Sequence, residues 1–245
     1  MSVILTAEIG NSAVKTGLFD KETLIQRETY AFKEIHKLNE LLYGKHIKKA
    51  MLCSTKRDIS FFTEILRQNR IPFGEIDHTI PIPLKLNYST PGTLGSDRIA
   101  AAVGANHLFR NSNVLVIDLG TAITIDFINA RNEFEGGNIS PGLETRLKSF
   151  HIFTDKLPYI NKDLMDAFRL TAKNTNEALF SGALMGILFE LNGYVHSYKS
   201  DYHDLKVVMT GGDAIFFEKK LKYPIFVVQN LSLEGLNRIY LYNAK

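Results

Sequence analysis

The 245 residues are too many for one small compact unit and too few for two full-sized domains. With 45% hydrophobic residues, 22% charged residues and a net charge of +3, the composition is that of a globular soluble chain. It makes no electrostatic case for nucleic acid, since Lys and Arg never gather into a long run and KEIHKLNELLYGKHIKK reads as a solvated basic face. The single cysteine, Cys53, excludes a disulfide framework and a cysteine metal site, and suits a reducing compartment. The seven histidines show no HxxxH or HxH spacing, so no zinc site is expected. The N-terminal residues do not have the charged start, apolar middle and cleavage site of a leader, and the longest uncharged apolar run, ALFSGALMGILF at 178–189, is too short to cross a bilayer. The expectation is a cytoplasmic protein with neither membrane nor nucleic-acid partner.

The periodicity predicts strands at 3–9, 13–19 and 23–32, a helix at 33–43, a strand at 48–54, a helix at 58–69, a strand at 71–76 and a helix at 96–109. The second half opens in the same way, with strands at 114–119, 122–128 and 133–139. Helices at 142–151 and 174–199 follow, then a strand at 206–211, a helix at 214–222, a strand at 225–228 and a helix at 232–243. Glu8-Ile9-Gly10-Asn11-Ser12 aligns with Asp118-Leu119-Gly120-Thr121-Ala122, an offset of 118 − 8 = 110 residues. Such a period is too long for a solenoid and suits a duplicated domain, divided as 1–112 and 113–245.

An acid at a strand end, then a glycine, makes a tight turn whose amide N–H groups point outward unobstructed. With hydroxyls from Ser12, Thr121 and Thr124, these amides form a cradle for phosphate oxygens. Beside phosphate, Glu8 and Asp118 make sense as ligands of a cation, direct or through water; as isolated acids they would read as turn caps. Lys15 reads either as a phosphate contact or as a solvated edge lysine.

In TPGTLGSDRIAAAVGA (90–105) Ser96 reads as the N-cap of an alanine-rich helix. Asp97 in the first turn is favoured by the helix dipole, whereas Arg98 is opposed by it and asks for an anionic partner. A bidentate grip on a substrate carboxylate would meet that demand, with Asp97 taking a hydroxyl proton. A capping acid beside a surface arginine is the plainer alternative. EGGNISPGLETRL (135–147) describes backbone that must approach something closely, a ligand or the other domain, and VVMTGGDA (207–214) is a strand–Gly–Gly–helix turn that can pass close to a nucleotide base or ribose. Gly182, Gly186 and Gly193 fall roughly on one face of the helix at 174–199, which suits close packing within the chain or between subunits.

EIGNSAVKTGLF and DLGTAITID resemble the two phosphate motifs of the acetate-kinase, sugar-kinase, chaperone and actin superfamily. That resemblance implies an α/β fold of two duplicated ribonuclease-H-like domains, with mixed five-stranded sheets facing a nucleotide cleft. More narrowly, Tyr88 before PGTLGSDR, then DLGTAITID, GGNISPGL, KLP, Asn174-Thr175, TGGDA and LSLEGLNR run in the order of the type III pantothenate kinases, over nearly the whole chain.

The resemblance implies ATP-dependent phosphorylation of pantothenate to 4'-phosphopantothenate, the first step of coenzyme A biosynthesis. It implies Asp97 as catalytic base, with Tyr88, Gly95, Ser96, Asp97, Arg98 and Thr175 around pantothenate. ATP would meet Glu8, Ile9, Gly10, Asn11, Ser12, Ala13, Val14, Lys15 and Thr121. Asp118 would hold a monovalent cation, K+ or NH4+; Mg2+ would accompany ATP, with Glu8 as its contact. The family works as a homodimer. The sequence departs from the family at Glu8, where the family carries Asp. The extra methylene moves the carboxylate by roughly 1.5 Å, which a water-mediated magnesium contact tolerates and a direct ligand does not without backbone adjustment. Two alternatives stand beside this reading: a kinase of the same superfamily acting on another small hydroxy acid, and a non-catalytic accessory relative linked to transcription.

Overall fold

The chain opens as an antiparallel meander of β1 (Ser2–Ile9), β2 (Val14–Asp20) and β3 (Thr23–Tyr30). After a 3-10 turn (Phe32–Lys37) and α1 (Leu38–Leu42), β4 (His46–Ser54) returns parallel to β1. Next come α2 (Ser60–Gln68) and β5 (Phe73–Glu75), which pairs parallel to β4 and completes the sheet order β3-β2-β1-β4-β5. The computed structural model describes residues 2–164 and 168–244.

Alternation along β1 places residues on both faces of this sheet. Val3, Leu5, Ala7 and Ile9 share one cluster with Leu38, Leu41 and Leu42 of α1 and Phe62, Ile65 and Leu66 of α2. Ile4 turns to the opposite face, where it meets Phe19 of β2 and Leu233 of the C-terminal helix. A strand covered on both sides must be apolar on both sides, which is why VILTAEI reads as a nearly continuous run. The period-2 rule puts Glu8 on the face of Ile4, directly across from Lys15 in the β1–β2 register.

The second sheet contains β6 (Lys85–Leu86), β7 (Val114–Leu119), β8 (Ala122–Ile128), β9 (Glu133–Pro141), β10 (Lys206–Thr210) and β11 (Phe226–Val227), in the order β11-β10-β7-β8-β9-β6. Without β6 the order is that of the first sheet, element for element. The sheet therefore has six strands where five are expected. The extra one is a two-residue edge strand parallel to β9, held by Lys85 N–H to Asn132 O (3.1 Å) and Asn87 N–H to Phe134 O (2.9 Å).

Two compact units result. The first comprises residues up to 114, 126–136 and those from 230 onward; the second comprises 115–125 and 137–229. In the first, α3 (Ser96–Leu108) crosses α7 (Leu231–Asn243) so closely that a Cβ on Gly104 would overlap the Leu231 carbonyl and one on Gly235 the Ala100 carbonyl. In the second, α4 (Leu143–Phe153), α5 (Thr175–Asp201) and α6 (Ala214–Glu218) follow β9 and β10. The Asn174 side chain caps α5, its oxygen accepting from Glu177 N–H at 2.9 Å. Arg146 of α4 and Glu190 of α5 form an ion pair. By length and composition α5 would span a membrane, but half of its most apolar window is buried inside the protein, as in a core helix.

Candidate active site

The first hairpin closes with Gly10 N–H donating to Ala13 O at 3.0 Å. Ile9 and Val14 put their side chains wholly into the core, while Asn11 and Ser12 stand exposed at the tip. Rigid apolar feet thus hold a polar turn. Glu8 is not a lone acid: Lys15 Nζ donates to both of its oxygens, at 3.1 and 3.2 Å. On its other side in the sheet stands Cys53, buried, whose thiol burial pushes well up, with Glu8 and Asp97 adding to the rise. Such a thiol is inert at neutral pH.

The 90–98 segment ends in α3, but Ser96 does not cap it. The N-cap is Gly95, and Ser96 is the first helical residue. Its hydroxyl instead accepts from Ser54 N–H (3.0 Å) and donates to Ser54 O (3.2 Å), tying α3 to the end of β4. Local propensity favoured a cap; a partner 42 residues away took the hydroxyl. Asp97 follows in the first turn, half-buried, its carboxylate beside Gly95 where any Cβ would overlap Oδ1. Burial raises the Asp97 pKa above the ordinary aspartate value; a hydrogen bond from the Arg98 backbone opposes the rise and the charge on Glu8 adds to it. A carboxylate with a raised pKa, at the N-terminus of a helix and close to a second acid, has the character of a general base.

Arg98 is buried and bound on one edge. Its Nε lies 3.1 and 3.2 Å from the two oxygens of Asp126 on β8, and Nη2 lies 2.5 Å from Oδ1. The guanidinium also sits 5.7 Å from the Tyr88 ring centroid and 5.8 Å from that of Phe134. Tyr88 in turn lies against Gly136, whose φ of 103° and missing side chain let the ring approach. The anionic partner that the helix dipole made necessary is therefore supplied in part by the chain itself.

In the second unit the β7–β8 turn closes with Gly120 N–H donating to Ala122 O at 3.1 Å. Both glycine-rich stretches singled out in the sequence converge on it. Gly142 N–H donates to Thr121 O (3.0 Å), as does the Thr145 hydroxyl (2.6 Å), and a Cβ on Gly142 would overlap the Gly120 carbonyl. From the other stretch, Gly211 (φ 96°) would place a Cβ 2.5 Å from Asp118 Oδ1 and from the Leu119 backbone. Asp213 N–H donates to Leu119 O at 3.1 Å, while Lys162 Nζ lies 2.5 Å from Asp213 Oδ1. What those glycines approach is the loop carrying Asp118 and Thr121. Thr175 opens α5, exposed and next to its cap.

Among the sequence-predicted residues, the first unit gathers Glu8 and Lys15 as one pair and Tyr88, Asp97 and Arg98 as neighbours. Asp118 and Thr121 share one loop in the second unit, which also contains Thr175. Asp126, Ser54, Gly142 and Gly211 were not expected in these roles. Asp126 was visible, being the last residue of DLGTAITID, but nothing local marks it as the partner of an arginine 28 positions earlier. Among the described residues no group of three or more His, Cys, Asp or Glu side chains is arranged to hold a metal ion.

Two sheets of common strand order, each opening on a hairpin with a carboxylate at the strand end, define the fold class of actin-like ATPases and sugar kinases. Solved structures agree. A conserved protein of the Baf transcriptional-activator family from Campylobacter jejuni superposes with a TM-score of 0.62 at 23% identity, covering 98% of each chain. The activator of the 2-hydroxyisocaproyl-CoA dehydratase from Clostridium difficile, with bound ADPNP, gives 0.54 at 14% identity, over 99% of this chain and 95% of that one.

Residues 4–197 match the profile of the type III pantothenate kinases. The type III pantothenate kinase of Cytophaga hutchinsonii is 40% identical over 246 aligned positions, all of both chains. The chain belongs to the type III pantothenate kinase family, enzymes that phosphorylate pantothenate with ATP in coenzyme A synthesis.

Proposed function

We propose that this protein phosphorylates the primary hydroxyl of pantothenate, with Asp97 as the base. Asp97 carries this reading: a half-buried carboxylate with a raised pKa, fixed by Gly95 and by the first turn of α3, next to an arginine held in one orientation. Phosphoryl transfer passes through a loose transition state, so catalysis is mostly positioning and charge neutralisation. Asp97 orients the hydroxyl and accepts its proton late. Arg98 takes the pantothenate carboxylate, with Tyr88, Gly95, Ser96 and Thr175 completing the substrate contacts.

Residues 8–15 and Thr121 meet ATP through turn amides and hydroxyls. Each hairpin offers one carboxylate, a donor type that suits hard cations brought in with the nucleotide. Asp118 is the residue to hold K+ or NH4+, and Glu8 the residue to meet Mg2+ through water; these ions neutralise phosphate charge when bound. The protein is read as cytoplasmic and homodimeric. One face of α5 supports the dimer, with Gly182 and Gly193 open to added side chains and Phe189 61% exposed.

The test is ADP release with and without pantothenate, in potassium and in sodium buffer. Pantothenate-dependent ADP that is stronger in potassium is expected. ADP release that ignores pantothenate in both buffers would overturn the reading.

A further inference from the structure

Arg98 is a cation in the wrong place for a cation. It sits in the first turn of α3, where the helix dipole is unfavourable, and it is 6% exposed, too buried to be stabilised by water. Asp126, 2% exposed on β8, resolves both problems. It takes the Nε edge of the guanidinium with both oxygens, in the fork geometry that only arginine supplies. The rings of Tyr88 and Phe134 flank the same group at 5.7 and 5.8 Å. One edge is occupied by Asp126, the Tyr88 side chain hydrogen-bonds the guanidinium as well, and both rings flank it, so its orientation is held before any ligand arrives. The edge bearing Nη1 is the one that Asp126 does not use.

We propose that Asp126 is a positioning residue for substrate recognition: it locks Arg98 so that the Nη1 edge alone is presented to the carboxylate of the substrate. The inference rests on the assignment of Arg98 to that carboxylate. Asp126 touches no reacting atom. It acts by keeping the arginine charged, buried and oriented before substrate arrives, so that binding does not also have to order a flexible side chain. An acid that neutralised Arg98 completely would defeat recognition. The two-edged guanidinium avoids this, because one carboxylate on each edge satisfies different N–H groups.

The experiment compares steady-state kinetics of Asp126→Asn, Asp126→Glu, Arg98→Ala and the Arg98→Ala/Asp126→Asn double variant. Each is assayed with pantothenate and with its neutral carboxamide analogue, with KM for ATP as internal control. Asp126→Asn is expected to raise the pantothenate KM by about tenfold or more, to leave the ATP KM within about twofold and to change kcat little, because misorientation weakens ground-state binding. Its preference for pantothenate over the carboxamide is expected to shrink. The double variant is expected to be no worse than Arg98→Ala, as for two residues acting as one unit.

Asp126→Glu keeps the charge and shifts the fork by one methylene. It is expected to show the same KM effect with the fold intact, so the test stands even if the Asn variant does not fold. Normal pantothenate KM and normal discrimination in folded Asp126 variants, with Arg98→Ala impaired, would overturn the positioning role alone. A normal pantothenate KM in Arg98→Ala would overturn the assignment of Arg98, and the inference with it.

Discussion

Lys15 grips both carboxylate oxygens of Glu8 across the first hairpin, at 3.1 and 3.2 Å, from the position directly opposite in the β1–β2 register. The pair faces the side of the sheet away from α1 and α2, and the Glu8 side chain is 16% exposed. An acid and a lysine so matched form a nearly neutral unit at the place where the family carries a shorter acid. Lys15 is therefore in reach of whatever Glu8 serves, and the two should be read together.

Glu8→Asp tests that coupling. The shorter side chain withdraws the carboxylate by roughly 1.5 Å and loosens its contact with Lys15. Partly exposed pairs contribute at most about 1 kcal/mol, so the melting temperature is expected to move by no more than about 4 °C. Turnover is expected to stay within about fivefold of wild type, with a changed magnesium dependence, while Glu8→Ala loses about a hundredfold. A magnesium titration of ADP release reads this directly. Full activity in Glu8→Ala would remove Glu8 from the metal's surroundings.

Asp97 carries opposite demands for catalysis and stability. Its pKa is raised in the folded state, chiefly by burial, so the folded protein holds that proton more tightly than the unfolded chain does. The contribution to stability is therefore fully present below the unfolded aspartate pKa and is lost as pH rises through the folded value; at neutral pH the ionised group costs stability. Asp97→Asn is expected to lower turnover by about 10²- to 10⁴-fold while raising the melting temperature at pH 7. The thermal advantage should shrink as the pH falls through the raised folded pKa and be gone below about 4, the unfolded aspartate value, where the wild-type carboxyl is neutral in both states. Melting curves at the two pH values, beside kcat, decide it. A variant less stable than wild type at pH 7 would contradict the burial account.

Much of this was legible because the informative features are local. An acid, a glycine and two flanking apolar runs mark each hairpin without knowledge of anything distant, and Arg98 betrayed a need for an anion by its position in a helix. The partners were not legible. Gly142 and Gly211 announced close approaches, but the loop they approach lies elsewhere in the chain. Ser96 looked like a cap because serine usually is one, and Ser54 claimed its hydroxyl through the tertiary fold. The two-residue β6 has no periodicity to detect; it exists only because β9 offers an edge. In the sequence the demand of Arg98 reads as one for a substrate carboxylate, with a surface arginine as the plainer alternative, whereas the side chain is buried and Asp126 meets it on one edge.

The loop bearing Asp118 should be sensitive to Gly211 and indifferent to its neighbour. Gly211 has φ of 96° and would direct a Cβ onto Asp118 Oδ1 and the Leu119 backbone at 2.5 Å, whereas a Cβ on Gly212 meets nothing within 4 Å. Gly211→Ala is expected to cost about 1–3 kcal/mol through strain and overpacking, and to reduce both turnover and its stimulation by potassium. Gly212→Ala is expected to leave both unchanged. Potassium titrations of the two variants test the claim; equal behaviour would mean that Gly211 does not govern the placement of Asp118.

The exposed face of α5 makes the last prediction. Phe189 is 61% exposed on the same face of α5 as Gly182 and Gly193, which leave open space beside it, so a second helix could approach there. If that face seats a second copy of the chain, a charge in its centre must be buried unpaired twice over, once from each subunit. Phe189→Glu is expected to shift the protein from dimer to monomer in sedimentation velocity, with an unchanged circular-dichroism spectrum because the side chain adds little to its own core. A variant that sediments as a dimer would place the interface on another surface.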